Sequence, residues 1–389
     1  MSELMVALVQ ASEKAANIAR SCRQEETLFS LLIEEKKNDN RKVSADFKTL
    51  ADVLVQEVIK HDIGKRFPGL ENNIFGEETN EFMNGLGERI QVVVCEREED
   101  TARLLSKVLD GNMQAAEALA SAAHQDIIIP NLHTGSIHIP IHDLGVWVDP
   151  IDSTFQYIKG MSNCVPEDSI YSRGLQCVTV LIGVYDLQTG EPVMGVINQP
   201  FAVMDDSKRW RGRFFWGISA GPLSVNSLSS TTEPLSRGDS QNPVDPNPEV
   251  RAAKLSAVLS TREVKRVRAL FQDCCERGVY YASGAGYKAL CVILGLVDVY
   301  VFTEDSTYKW DSCGPHAILR SLGGDMADLK ECLKRKQAGR PNERPELLYN
   351  TPVAEASGTE KWANRGGLIA YRSKADLEAV LQLLTTIEL

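Results

Sequence analysis

The sequence predicts an α/β protein of mixed, α+β character, and three observations predict it. Apolar residues near the N-terminus recur at helical spacing. The middle of the chain holds β-branched, almost continuous apolar runs, and the C-terminal part alternates strand-like and helix-like segments.

The first helix is expected over Glu3–Lys36, where Leu4, Ala7, Leu8, Ala11, Ala15, Ile18 and Ala19 share a face and Leu28, Leu31 and Leu32 continue the pattern. A second is expected to start near Asp46 and run through Leu50, Val53, Leu54 and Ile59, and a third, rich in alanine, over Glu98–His124. Leu144–Val148 reads as a short strand that stops where Pro150 turns the backbone. Gln176–Tyr185 reads as a central strand, Asp186–Gly190 as a hairpin turn, Val193–Ile197 as the return strand and Arg209–Trp216 as further strand edges. Residues 226–249 are rich in Ser, Thr, Pro and Asn and read as a mobile loop between two halves, 1–225 and 250–389. The second half is expected to run strand Lys254–Leu259, helix Glu263–Arg277, helix Tyr287–Leu294, strand Val297–Phe302, helix Cys313–Leu322 and strand Leu368–Ala370.

The 389 residues carry a net charge of −11, which argues against nucleic acid as a partner, since that needs a basic footprint. An anionic small molecule stays compatible with this charge, because a few lysines and bound cations make one cleft positive. Nine cysteines, none in a C-x-x-C pair, fit free thiols rather than a disulfide framework or a zinc site. With no secretory leader and no apolar run of about 18 residues, a cytoplasmic location without a membrane span is expected.

Acidic residues stand beside apolar runs or turn signals at four places: Asp52; Glu77-Glu78 after Ile74-Phe75-Gly76; Asp149 and Asp152 bracketing Pro150-Ile151; and Asp311 after Trp310. Hard divalent cations take oxygen ligands, and magnesium commonly uses one or two carboxylates together with substrate phosphate and water. In Asp149-Pro150-Ile151-Asp152-Ser153-Thr154 two carboxylates leave a strand end. The following Ser153 and Thr154 backbone N–H groups suit a phosphate, so metal and phosphate would share a loop. The same segment is good turn and N-cap chemistry, Asp311 suits a helix cap, and Asp52 and Glu77-Glu78 suit solvated positions. Only their joint occurrence favours a site.

These motifs resemble the inositol monophosphatase superfamily of lithium-sensitive, magnesium-dependent phosphatases. The resemblance rests on Asp52, Gly76-Glu77-Glu78-Thr79, Trp147 to Thr154, Trp310-Asp311-Ser312-Cys313 and Gly323-Gly324, in family order over most of the chain. Ser12 to Arg20, Asp46 to Asp52, Gly174 to Thr179 and Gly284-Ala285-Gly286-Tyr287-Lys288 resemble the branch that acts on inositol polyphosphates, and Ser153 in place of the usual glycine suits that branch.

The resemblance implies a five-layer α-β-α-β-α sandwich and removal of the 1-phosphate from inositol 1,4-bisphosphate and inositol 1,3,4-trisphosphate. It implies that Glu77, Asp149 and the Ile151 carbonyl hold one magnesium, that Asp149, Asp152 and Asp311 hold a second, and that Glu78 helps a looser third, with lithium inhibiting at one of these sites. Thr154 would aim the attacking water, supported by Asp52. Ser153, Thr154, Ser260, Thr261, Gly284, Ala285, Lys288 and Lys309 are expected to bind substrate, and Glu304 and Asp305 to contact inositol hydroxyls. The expected partner is a small inositol phosphate, and a monomer is slightly favoured. A 3′(2′),5′-bisphosphate nucleotidase resembles the chain at Gly284–Lys288 and Lys309-Trp310-Asp311, and an inactive phosphoinositol-binding protein is the reading from another class. His316 is expected in the core or on a helix surface rather than in catalysis, and Gly284-Ala285-Gly286 falls short of a dinucleotide fingerprint.

Overall fold

The computed structural model describes residues 2–24, 33–36, 46–130, 132, 140–229, 253–340 and 347–387. Two compact units emerge, one of Met1–Ser162, Gly174–Ile182 and Val196–Phe214, the other of Asn163–Arg173, Gly183–Gly195 and Phe215–Leu389.

The first unit opens with helix α1 (Ser2–Gln24), whose Leu4, Leu8, Ala11, Ala15, Ile18 and Ala19 are buried as their spacing predicts. The expected extension to Lys36 does not hold. Ile33–Lys36 is strand β1, paired antiparallel with β2 (Asp46–Thr49), and residues 25–32 lie outside the described part. The second helix, α2 (Leu50–Arg66), starts four residues later than expected because Asp46–Thr49 is used by that pairing. Its start is a capping box: Thr49 accepts from the Asp52 N–H, and the Asp52 carboxylate accepts from the Thr49 backbone. Strand β3 (Ile74–Gly76) follows, and after it a hairpin of β4 (Glu81–Met83) and β5 (Arg89–Gln91) that the periodicity does not reveal.

The alanine-rich helix is two helices, α3 (Glu98–Val108) and α4 (Met113–His124). Asp110 and Gly111 have φ of +51° and +88°, and the Asn112 side chain caps α4 at Ala115 N–H, 3.1 Å away. Strand β6 spans Leu144–Asp152 and is buried throughout, so no turn separates Asp149 from Asp152, contrary to expectation. Its pairing with parallel β3 ends at Gly76–Val148, so the absent N–H of Pro150 interrupts no bond between these strands. The turn comes at Ser153, in the left-handed region at φ +72°, and opens the short helix α5 (Thr154–Lys159).

Strands β7 (Thr179–Asp186), β8 (Pro192–Met204) and β9 (Trp210–Ala220) have residues in both units. The expected strand from Gln176 begins at Thr179 because Leu175–Cys177 is a 3₁₀ turn. The turn at Asp186–Gly190 forms as expected, with Gly190 N–H on the Asp186 carbonyl at 2.8 Å. Strand β10 (Leu223–Asn226) completes a six-stranded sheet of order β10-β9-β8-β7-β6-β3. It also takes in the first residue of the expected loop, and residues 230–252 lie outside the described part.

The second unit contains β11 (Ala257–Ser260), α6 (Lys265–Cys274), β12 (Val279–Ala282), α7 (Ala285–Ile293), β13 (Val299–Phe302), α8 (Lys309–Ser321), β14 (Asp325–Asp328), α9 (Leu329–Gln337), β15 (Leu368–Tyr371) and α10 (Lys374–Leu384). The alternation expected from sequence is present, with β12, β14, α9 and α10 added. The five-stranded sheet runs β12-β11-β13-β15-β14. β11 pairs parallel with β12 and β13, and β15 runs antiparallel to β13 and β14. Leu259, Phe271, Val301, Leu329, Ile369 and Leu381 belong to one buried cluster that ties α6, α9 and α10 to this sheet. Each such side chain contributes roughly 1.5–3 kcal/mol by leaving water.

Helix α8 begins at Lys309, not Cys313, which places Asp311 inside its first turn. The helix lies directly on β7 and β8. A Cβ at Gly183 would come 2.4 Å from Gly314 N, and one at Gly195 2.0 Å from Gly314 O, so glycine is required for this approach. None of the nine cysteines forms a disulfide, and no described helix is long and apolar enough to cross a membrane.

Candidate metal centre

Strand pairing sets the first carboxylates. The Glu77 N–H reaches the Val148 carbonyl at 3.2 Å, extending the β3–β6 ladder to the residue before Asp149. Gln56 then clamps the next residue from both sides: its Nε2 donates to the Glu78 carbonyl at 2.6 Å, and its Oε1 accepts from the Glu78 N–H at 2.9 Å. Gly76 leaves room for this amide, because a Cβ there would stand 2.0 Å from Gln56 Oε1. Glu78 is buried and Glu77 half-buried.

Asp149 and Asp152 on β6 are buried, at 2% and 7% exposure. Asp152 Oδ2 accepts a 3.0 Å hydrogen bond from Thr179 Oγ1 at the start of β7. Asp311 belongs to the first turn of α8, where its Oδ2 also accepts from the Tyr308 N–H at 2.6 Å. Asn364 braces that turn, donating to Tyr308 O at 3.0 Å and Ser312 Oγ at 3.2 Å, while Trp310 stacks on Tyr308 with centroids 4.7 Å apart. Asp149, Asp152 and Asp311 each offer a carboxylate oxygen, all within 4.8 Å of one another. Packing three carboxylates so closely is costly unless a cation compensates them, and an all-oxygen donor set fits a hard divalent ion such as magnesium.

Thr154 opens α5 with its Oγ1 3.1 Å from the Ile151 carbonyl and 3.4 Å from Asp52 Oδ1. Asp52 is fully buried, not the solvated position that remained open from sequence, and its other oxygen accepts from the Thr49 N–H and Oγ1, both at 2.6 Å. A line of fixed groups therefore runs from Thr49 through Asp52 to Thr154.

The expected substrate residues are placed on four elements. Ser260 ends β11 and its Oγ accepts from Arg262 N–H at 3.2 Å, with Thr261 exposed beside it. Gly284, at φ +81°, caps α7, and Ala285 is the first residue of that helix. Lys288 is buried. Its ammonium lies 2.8 Å from Gly284 O and 5.1 Å from the Tyr300 ring centre. Lys309 is also buried, 5.6 Å from the Tyr349 ring centre, and burial lowers its pKa to about 8. Glu304 and Asp305 are exposed, and Asp305 pairs with Arg365 at 3.3 Å.

Gln56, Thr179 and Asn364 hold candidate ligands yet did not stand out in the sequence. Gln56 lies one helical turn after Asp52, a spacing that puts both on one face. Thr179 is a hydroxyl in an apolar run, and nothing local marks Asn364.

A mixed α/β fold carrying an acidic triad with metal-ligand spacing defines the class. Residues 1–377 match the inositol monophosphatase family, and the chain belongs to it. Inositol polyphosphate 1-phosphatase of Mus musculus is 54% identical, covering 99% of this chain and 97% of its own. The 3′(2′),5′-bisphosphate nucleotidase 1 of Homo sapiens is 27% identical over 74% of this chain and 72% of its own. Among solved structures, the extragenic suppressor protein suhB from Bartonella henselae superposes with a TM-score of 0.50 at 15% identity, covering 99% of this chain and all of that one, and so supports the fold alone.

Proposed function

We propose that the chain is a metal-dependent phosphomonoesterase. Its particular reaction is removal of the 1-phosphate from inositol polyphosphates, with inositol 1,4-bisphosphate and inositol 1,3,4-trisphosphate as substrates. One observation carries the reading: the triad of Asp149, Asp152 and Asp311 occurs in a chain related over nearly its whole length to an inositol polyphosphate 1-phosphatase.

In this reading Glu77, Asp149 and the Ile151 carbonyl hold one magnesium, Asp149, Asp152 and Asp311 a second, and Glu78 helps a third. Bound magnesium supplies positive charge for the phosphoryl oxygens and lowers the pKa of water, and lithium inhibits by taking one of the sites. The Thr154 hydroxyl donates toward Asp52 or Ile151 O, so its lone pairs accept from the attacking water and fix its direction. Thr49 keeps the Asp52 carboxylate from turning away. The Ser153 and Thr154 backbone N–H groups face the phosphate, while Ser260, Thr261, Gly284, Ala285, Lys288 and Lys309 take the rest of the substrate. A phosphate leaving water for a cleft needs such cations. The halves 1–225 and 250–389 act as one catalytic unit, monomeric and cytoplasmic, and cysteines that form no disulfide suit a reducing compartment.

The test is Asp152→Asn, assayed for phosphate release at millimolar magnesium. Turnover should fall at least about 100-fold, beyond the usual loss for an outer partner of a metal ligand, with the melting temperature retained. Full activity would refute the ligand assignment.

A further inference from the structure

Helix α8 carries, besides Asp311, the buried His316, which joins Asp325 of β14 and Tyr349 in a group that the reaction above does not use. His316 is 1% exposed, and its Nε2 lies 2.6 Å from Asp325 Oδ1, so that nitrogen donates to the carboxylate. Its Nδ1 shares a 2.9 Å hydrogen bond with the Tyr349 hydroxyl. The backbone of Tyr349 is fixed as well, its N–H donating to Gly190 O at 2.9 Å in the turn between β7 and β8. The neighbouring Asn350 Nδ2 donates to Leu187 O at 3.1 Å in the same turn. The His316 ring meets the Tyr349 ring edge-on, 5.8 Å between centres. Tyr349 is thus held at its hydroxyl, its ring and its main chain, and the ammonium of Lys309 lies over that ring.

We infer that Tyr349, locked by His316 and Asp325, is a positioning residue for Lys309, and that it sets the enzyme's hold on the substrate phosphate that is not cleaved. An aromatic face attracts an ammonium most strongly where water is excluded, and Lys309 and Tyr349 are both buried. A lysine stem has four rotatable bonds, and a fixed ring narrows the positions its ammonium explores before substrate arrives. Lys309 stands two positions before the candidate ligand Asp311 in the first turn of α8, and the proposed reading gives it part of the substrate.

The inference rests on the proposed phosphatase reading, and Tyr349→Met, which keeps an apolar side chain of similar length, tests it. Steady-state kinetics with inositol 1,4-bisphosphate should show KM raised roughly tenfold and kcat changed less than about twofold. The inhibition constant of inorganic phosphate, which needs only the metal end of the site, should stay the same. Tyr349→Phe, which keeps the ring but loses the hydrogen bond to His316, should raise KM less than Tyr349→Met does. Tyr349→Met raising KM and the phosphate inhibition constant together, or lowering kcat alone, would reduce Tyr349 to a core residue and overturn the inference. A wild-type chain that releases no phosphate would instead refute the phosphatase reading itself.

Should Tyr349→Met fail to fold, NMR of the unmutated chain with ¹³C-methylated lysines gives an independent measurement. The Lys309 methyl signal, assigned by its loss in Lys309→Arg, should be shifted upfield by the ring. It should move on addition of inositol 1,4-bisphosphate but not of inorganic phosphate. A signal at the unstructured position, or one indifferent to the bisphosphate, contradicts the inference.

Discussion

Replacing Thr179 with valine removes one hydroxyl and keeps the branched shape, and its consequence follows from a single contact. Thr179 Oγ1 donates to Asp152 Oδ2 at 3.0 Å, and both residues are buried, at 0% and 7% exposure. A hydrogen bond to a charged group contributes about 1.5–3 kcal/mol. If that free energy holds the carboxylate in its ligating orientation, its loss weakens magnesium binding by about 10–150-fold, at 1.4 kcal/mol per factor of ten. The assay is phosphate release from inositol 1,4-bisphosphate against magnesium concentration for wild type, Thr179→Val and Thr179→Ser. The half-activation point should move to higher magnesium in the valine variant, with kcat largely recovered at saturation, and should return close to wild type with serine. Superimposable curves for wild type and valine would refute the idea that Thr179 orients Asp152.

Three other perturbations have defined outcomes. Ser153 occupies the left-handed region at φ +72°, where a side chain costs about 1–2 kcal/mol relative to glycine. Allowing for glycine's extra freedom when unfolded, Ser153→Gly should stabilise by about 0.5–1 kcal/mol in urea titrations, whereas a destabilised variant would show that the serine side chain makes up the difference. Gly76→Ala should displace the Gln56 amide, whose oxygen would be 2.0 Å from the new Cβ, and cost about 1–3 kcal/mol together with most of the activity; wild-type values in both would contradict the required close approach. Burial opposes ionisation of Asp325, but its hydrogen bond from His316, the charge on that residue and the Met326 N–H outweigh burial and hold its pKa below 3.8. A depressed carboxylate pKa contributes stability that is full above the unfolded value and is lost as pH falls through the folded one. The urea midpoint of wild type should therefore drop more steeply below about pH 4 than that of Asp325→Asn, and parallel slopes would contradict this.

The sequence made the acids legible and left their supports obscure, for physical reasons. Asp149, Asp152 and Asp311 stand out because charged residues next to long apolar runs are conspicuous, and the helical spacing of Leu4 to Ala19 is regular enough to define α1. Asp52 is also visible, but its complete burial depends on the Thr49 cap and on Thr154, 102 residues away. Thr179 and Asn364 act through tertiary contacts that no local pattern encodes. Chain breaks are not legible where the backbone, not the side-chain period, decides. Positive φ at Asp110 and Gly111 divides the alanine-rich helix, and Pro150 continues β6 because β3 has already ended beside it. Short elements such as β4 and β14 carry too few residues for an alternation to be counted.

The central claim, a magnesium-dependent phosphatase selective for the 1-phosphate of inositol polyphosphates, meets its most direct test in product identity. Inositol 1,4-bisphosphate and adenosine 3′,5′-bisphosphate are incubated in parallel with the purified chain, with and without magnesium, and the products resolved by ion exchange and ³¹P NMR. Magnesium-dependent conversion of the first to inositol 4-phosphate and inorganic phosphate is expected, with the nucleotide a much poorer substrate. Release of the 4-phosphate, faster hydrolysis of the nucleotide, or equal rates without divalent metal would contradict it.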